Sequence, residues 1–341
     1  MPIRFKQETR TSSYLDPFSG FTTTEREVTI REDPLTGAVS RLFGYRRRPP
    51  QQISLGPDGG YTLCAFCKEN IEAMTPRFPP ELCPEGRIRR GEAVVFPNLF
   101  PYDGHNAVAA MSERHEVSMG EWPERALSDA LLACREYIAR VVRSEEKTWF
   151  HSVNWNYTPI AGASQIHPHL QILVSPTPTR EMARLLEASR SYAETHGSSY
   201  WNDLLRVEQE AGERYLGRSG SARWLVNFAS KGFVPDVTAV MVGDGDFVQS
   251  SDRDVEDLAA GLLKVLRYYD SRRIGGLNLT LYSLSPGRPD FATHARVVPR
   301  FRIPPLNISD VNYFRLMHDE GLCMVSPEHV CGELSRFFER D

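Results

Sequence analysis

The sequence contains no run of 18 consecutive apolar residues, the length a helix needs to cross a bilayer. Nor does an apolar stretch of the kind found in secretory leaders follow its first residues, MPIRFKQETR, so the sequence predicts a cytoplasmic protein without a membrane partner. Long basic runs are missing too: 40 Lys and Arg stand against 44 Asp and Glu, a formal net charge of −4. That balance leaves no footprint for a nucleic-acid polymer, although local arginine clusters could hold one phosphorylated small molecule. Cysteine is sparse, with six in 341 residues; only Cys64 and Cys67 lie close together, while Cys83, Cys134, Cys323 and Cys331 are scattered. Such spacing excludes the dense disulfide framework of a small secreted domain. With 41% hydrophobic and 25% charged residues the chain reads as globular, long enough for two ordinary domains or one intertwined one.

The apolar periodicity carries the organisation. Leu127, Leu131, Cys134, Ile138 and Val141 recur at helical spacing, which predicts a helix over 123–142 behind a capping box at Ser118 and Glu121. A second helix is predicted over 252–269 from Val255, Leu258, Leu262 and Leu266, with Ser251 and Asp254 in the capping positions. Two β-prone runs precede each helix: 94–96 and 107–111 in the first case, 224–228 and 237–242 in the second. A strand-like run follows each, 149–155 and 277–282, and then a further strand containing His167 or His294. The order therefore recurs at an offset of roughly 130 residues, as an internal duplication would produce. Helical stretches over 181–194 and 204–215 link the two copies, and Ser326-Pro327-Glu328 opens a C-terminal helix. The second copy has no Cys-x-x-Cys, has Gly245 opposite His115, and reads His294-Ala295-Arg296 where the first reads His167-Pro168-His169. Chemistry is therefore expected in the first copy.

Gly162-Ala163-Ser164-Gln165-Ile166-His167-Pro168-His169-Leu170-Gln171 runs into Ile172-Leu173-Val174, placing two histidines where a loop becomes a strand. A pair of hydrogen-bonded core histidines is one reading of His-x-His alone. The neighbours favour another: neutral imidazole is a good nucleophile towards phosphorus. Gln171, two residues on, would face the same side and could donate to a phosphate oxygen, while Ser164 and the turn at Gly162 could hold a neighbouring phosphate. Cys64-Ala65-Phe66-Cys67 supplies two soft metal ligands at zinc-knuckle spacing, with His115 and His167 as the remaining candidates; a redox dithiol is the competing reading.

The motif Gly162-x-Ser164-x-x-His167-Pro168-His169-x-Gln171 resembles the active-site signature of the galactose-1-phosphate uridylyltransferase family, within the histidine-triad superfamily. Similarity extends from about Arg31 to the C-terminus, through Arg31-Glu32-Asp33-Pro34-Leu35-Thr36-Gly37, Arg46-Arg47-Arg48-Pro49, Phe96-Pro97-Asn98, 279–283 and Ile303-Pro304-Pro305-Leu306. The resemblance implies an α+β fold of two histidine-triad-like halves, mainly antiparallel sheets packed with helices. Residues 1–195 would be the catalytic half and 196–341 a degenerate one. His169 would take a uridylyl group from UDP-glucose, assisted by Gln171 and Ser164, and pass it to a sugar 1-phosphate, as in galactose metabolism. Arg46, Arg48, Phe96, Asn98, Asn156 and Gly162 would contact the nucleotide. Cys64, Cys67, His115 and His167 would hold a structural zinc ion, and a homodimer would complete each site. In hydrolases of the superfamily a third histidine stands at the position of Gln171, so the glutamine favours transfer to an acceptor over transfer to water.

Some features depart from the family. Where relatives carry a second metal, this chain has Ser283 and Val298-Pro299-Arg300-Phe301-Arg302, so no second metal is expected. The stretch that contacts the sugar reads Asn312-Tyr313-Phe314-Arg315-Leu316-Met317-His318-Asp319, so galactose specificity does not follow. Two other readings stay open: a phosphorylase of nucleoside diphosphate-sugars or dinucleotides that uses inorganic phosphate, and an inactive zinc-stabilised nucleotide-binding module.

Overall fold

In a computed structural model, which describes residues 6–32, 39–43, 63–144, 147, 149–241, 243, 245–303, 305 and 308–339, one sheet of ten strands runs through the protein. A separate three-stranded antiparallel sheet precedes it, formed by β1 (Lys6–Asp16), β2 (Thr22–Glu32) and β3 (Val39–Phe43), and a short helix α1 (Ile71–Met74) follows. The first half of the large sheet comprises β4 (Ile88–Arg90), β5 (Ala93–Pro97), β6 (His105–Ala110), helix α2 (Glu124–Ser144), β7 (Trp149–Tyr157) and β8 (His169–Ser175). Helices α3 (Arg180–His196) and α4 (Tyr200–Ala211) lead to the second half: β9 (Tyr215–Ser219), β10 (Ala222–Val226), β11 (Val237–Met241), α5 (Asp252–Ser271), β12 (Gly276–Ser285) and β13 (His294–Arg300). A small hairpin of β14 (Arg302–Ile303) and β15 (Ile308–Ser309), then α6 (Tyr313–Met317) and α7 (Pro327–Phe338), complete the chain.

The spatial order β4-β5-β6-β8-β7-β12-β13-β11-β10-β9 places corresponding strands of the two halves at equal distances from the centre. Each half has three strands, a helix and two strands, and they join where β7 pairs with β12, from Tyr157 opposite Leu277 to Trp149 opposite Ser285. The outermost strands β4 and β9 were not expected from the sequence: β4 has only three residues, and the helix expected over 204–215 ran into the start of β9.

Strand residues alternate between two faces of the sheet. The back face, with Val95, Ala109, Ile172, Val153, Leu279 and Val297, packs with Leu127, Leu131 and Ile138 of α2 and with Leu258, Leu262 and Leu266 of α5 in one buried core. That packing satisfies the apolar stripes read from the sequence. The front face carries the polar side chains discussed below.

Helix α5 begins with the predicted capping box, Ser251 and Asp254 exchanging bonds with each other's backbone. The expected box at Ser118 and Glu121 does not form. Ser118 precedes a short 3-10 turn at Met119–Glu121 without a side-chain cap bond, and α2 starts at Glu124, its first bonds running from Ala126 and Leu127 N–H to the Pro123 carbonyl. The helix expected over 204–215 instead spans Tyr200–Ala211, stopped by Gly212 at φ 68°, a left-handed cap that glycine adopts without strain. Tyr215 already belongs to β9.

Candidate active site and metal cluster

After β7 the chain turns sharply through Thr158 (φ 70°), a 3-10 turn at Pro159–Ala161 and Gly162 (φ 92°) before reaching His167. Gly162 suits this backbone conformation, and its N–H closes the turn on the Pro159 carbonyl. The second half holds the loop. Asn278 of β12 donates to Asn156 Oδ1 at 2.7 Å and to the Ala161 carbonyl at 2.8 Å, while its own Oδ1 accepts from Arg300 at 2.7 Å. Arg300 is in turn fixed by Asp310. Gly276 lets the loop approach β12: an added Cβ there would lie 2.3 Å from Ile160 Cγ2 and 2.9 Å from the Tyr157 carbonyl oxygen. Gly276→Ala is expected to lower stability by about 1–3 kcal/mol, the range for overpacking, which a denaturant titration would measure.

His169 opens β8, opposite Ala110 of β6. Its ring is 4% exposed, and Nδ1 lies 2.9 Å from the His167 carbonyl. Because a carbonyl can only accept, Nδ1 carries the proton and Nε2 keeps its lone pair. Burial pushes the pKa of this ring down and outweighs the carbonyl, which raises it, so the imidazole is neutral, and the carbonyl fixes its tautomer.

The ligand atoms of Cys64, Cys67, His115 and His167 all lie within 4.8 Å of one another. Cys67 Sγ is 3.3 Å from His115 Nδ1 and 3.7 Å from His167 Nδ1, close to the roughly 3.5 Å edge of a tetrahedron with metal–sulfur and metal–nitrogen bonds of about 2.3 and 2.0 Å. His167 is fully buried and its Nε2 donates to the Ser112 carbonyl at 2.8 Å, which turns Nδ1 towards the cluster as in metal-bound histidines. Burial and the neighbouring Cys64 push the Cys67 thiol up to about 12, a cost that a bound cation would remove. Two cysteines and two histidines in this geometry can bind a metal ion.

A hollow of about 340 Å³ opens in front of His169. Of the residues singled out in the sequence, His169, Gln171, Ser164, Phe96 and Asn98 line it together. Asn98 shapes the wall through its own turn, donating to Asn106 Oδ1 at 2.9 Å and accepting from Phe100 N–H at 3.0 Å. Asn156 and Gly162 do not line it; Asn156 stands on the neighbouring strand, two residues beyond Asn154, which pairs with Gln171, and so shares the face of His169. Arg46 and Arg48 lie outside the described residues. Sequence reading missed Phe66, whose ring sits edge-on to His169 at 5.3 Å and 5.4 Å from Phe96. The signal was its place between Cys64 and Cys67, so the metal cluster and the hollow share one loop. Phe18, Phe100 and Tyr102, which complete an aromatic wall, had no signal of their own.

The second half keeps a histidine in the equivalent place, though not in the register expected. His294 heads β13 opposite Val240 of β11, and its Nδ1 is 2.9 Å from the Ala292 carbonyl, the same lock as in His169. His294 therefore matches His169, and Arg296 matches Gln171, a shift of two residues from the sequence alignment. Among the described residues, aromatic rings cover His294: Trp201 of α4 lies 4.1 Å from its ring at 30°, with Tyr282 and Phe291 within 5.4 Å. Met182 and Leu186 of α3 extend this plug over the sheet.

No family model matches the chain. Solved structures similar to it include a uridylyltransferase (TM-score 0.71, 20% identity, covering 91% of this chain and 98% of that one). An ADP-glucose phosphorylase from Arabidopsis thaliana with bound ADP-glucose gives TM-score 0.65 and 18% identity, over 90% of this chain and 98% of that one. The protein thus shares the α+β fold of these two structures. It belongs to one family with an uncharacterized protein of Archaeoglobus fulgidus, 32% identical over 319 residues and covering 91% of this chain and 92% of that protein.

Proposed function

We propose that the protein is a nucleotidyltransferase that carries a covalent nucleotidyl group on His169. The observation that carries this reading is the lock between Nδ1 and the His167 carbonyl, which leaves Nε2 as the nucleophilic nitrogen of a ring lining the hollow. Nε2 forms a bond to the α-phosphorus of a nucleoside diphosphate-hexose such as UDP-glucose as the bond to the bridging oxygen breaks, and the hexose 1-phosphate leaves with that electron pair. The His167 carbonyl stabilises the charge gained by the ring. Gln171 and Ser164, lining the same hollow, donate to the non-bridging oxygens as negative charge builds on them. A second sugar 1-phosphate then attacks phosphorus and restores free His169.

Cys64, Cys67, His115 and His167 would hold a metal ion, which we assign as zinc, through four protein ligands, so that its role would be structural. When bound it supplies rigidity: it fixes the loop bearing Phe66 and the backbone carbonyl of His167 on which His169 rests. Residues 1–195 form the catalytic half in this reading, and 196–341, beginning where α3 ends, buttress it. A homodimer is supported by exposed apolar side chains near the C-terminus, Leu316, Met317 and Met324, each 74–75% exposed. Sedimentation of the purified protein tests it, with a dimer expected. Among the described residues no helix is long and apolar enough to cross a membrane, in keeping with a cytoplasmic site of action.

The departure of residues 312–319 from the family's sugar-contacting stretch supports inorganic phosphate as the alternative acceptor. Incubation with labelled UDP-glucose and either galactose 1-phosphate or phosphate separates the two, since only the true acceptor exchanges label. Asn278→Asp keeps shape but removes the donor to Asn156 and Ala161. Loss of two hydrogen bonds worth about 1 kcal/mol each is expected to lower kcat/KM about tenfold or more with folding intact. An unchanged kcat/KM would remove Asn278 from the positioning of the loop.

A further inference from the structure

A second hollow, of about 270 Å³, opens on the same face of the sheet, beyond Asn278 from His169. Lys231, Arg296, Arg300 and Arg315 line it, and Asp310 is the one carboxylate among its lining residues. Asp310 chelates Arg300, which neutralises that pair. The partners of the other three cations stand outside the lining: Glu181 holds Lys231 at 2.6 Å, the fully buried Asp236 holds Arg296, and Asp319 holds Arg315 at 3.0 Å. Anything within the hollow therefore meets the cations before their counterions. Burial, with Arg296 and Arg315 adding to it against the pull of Glu181, lowers the Lys231 pKa. Thr280, from the floor of the hollow, adds a hydroxyl donor.

The position relative to His169 gives the hollow a role. The first hollow is walled by Phe96 and Val108 of β5 and β6, so the nucleoside lies on that side of His169. What remains of the substrate leaves over β7 and β12 towards β13, which is three strand spacings, or about 14 Å, from β8. A hexose joined through phosphate falls short of that distance unless its far end bears another group. A cationic hollow at that end selects an acidic one.

We propose that this hollow binds an oxyanion, phosphate or carboxylate, on the distal end of the sugar, so that the preferred sugar 1-phosphate carries a second acidic group. The inference rests on His169 as the nucleophile. Calorimetric titration of the full chain with glucose 1-phosphate, glucose 1,6-bisphosphate and glucuronate 1-phosphate tests it. At least tenfold tighter binding of one of the doubly acidic compounds is expected, and the compound preferred tells phosphate from carboxylate. In the Lys231→Gln/Arg315→Gln double variant the preference is expected to fall below threefold; Thr280→Val, which keeps every charge, serves if that variant fails to fold and should lose part of it. Equal affinities in the parent, or a preference surviving in the variants, would overturn the proposal. Labelling of His169 by a nucleoside diphosphate-sugar, run in parallel, keeps the two readings apart: label without preference sinks the hollow alone, and preference without label sinks the nucleophile alone.

Discussion

Replacing His169 with alanine is expected to reduce nucleotidyl transfer by at least about 10⁴-fold, because His169 is the one imidazole among the described residues lining the hollow. The effect should fall on kcat, with KM for the donor changed little, since the aromatic wall and Gln171 remain. Stability should move by about 3 kcal/mol or less, within the range of ordinary core truncations, because the ring is buried but its one bond is to a neighbouring carbonyl. The metal content should not change, as His169 is not one of the four ligands. Steady-state kinetics, thermal unfolding and elemental analysis of the same preparation check these together. A variant with parental turnover would end the mechanistic account, whereas a variant that lost metal would show that the two sites are less separable than their geometry indicates.

The second large effect concerns the cluster. Cys64→Ser, or removal of the ion with a chelator, is expected to lower stability by several kcal/mol; the folding energy tied up in zinc-finger sites, about 10–16 kcal/mol, sets the upper bound. A loss of roughly 4 kcal/mol would reduce Tm by about 6 °C in a chain of this size. Activity should fall as well, even though the ion does not touch substrate. The loop 64–67 carries Phe66 onto the His169 ring, and His167 supplies both a ligand and the carbonyl that fixes the His169 tautomer. A protein that contained no bound metal as purified and kept its Tm after chelation would favour the dithiol reading of Cys64 and Cys67.

The residues to which the proposed chemistry is assigned cluster in one run of the sequence. His167, His169, Gln171 and Ser164 lie within eight positions of each other, so local spacing alone predicted that they share a site. The four metal ligands span about a hundred positions, and it was the resemblance that joined them; the cluster in the structure agrees with it. Legibility ended where tertiary packing decides. Phe18, Phe66, Phe100 and Tyr102 look like ordinary apolar residues until the chain brings them to one wall. Asn278 gave no sign that it reaches across β7 to hold the loop of the other half. The match of His294 to His169 was placed two residues off because the turn before β13 differs in length from the one before β8. Only strand register, with Val240 opposite His294 and Ala110 opposite His169, resolves it. Trp201 then occupies, over His294, the side that stands open in front of His169.

The central claim is a bond between one imidazole nitrogen and phosphorus. Mass spectrometry of the intact protein after brief exposure to UDP-glucose without acceptor should show the added mass of a single uridylyl group. Fragmentation should place it on His169, and the modification should be lost in mild acid and on addition of acceptor. Turnover by a protein whose His169 stays unmodified, or whose label maps to another residue, would contradict the account.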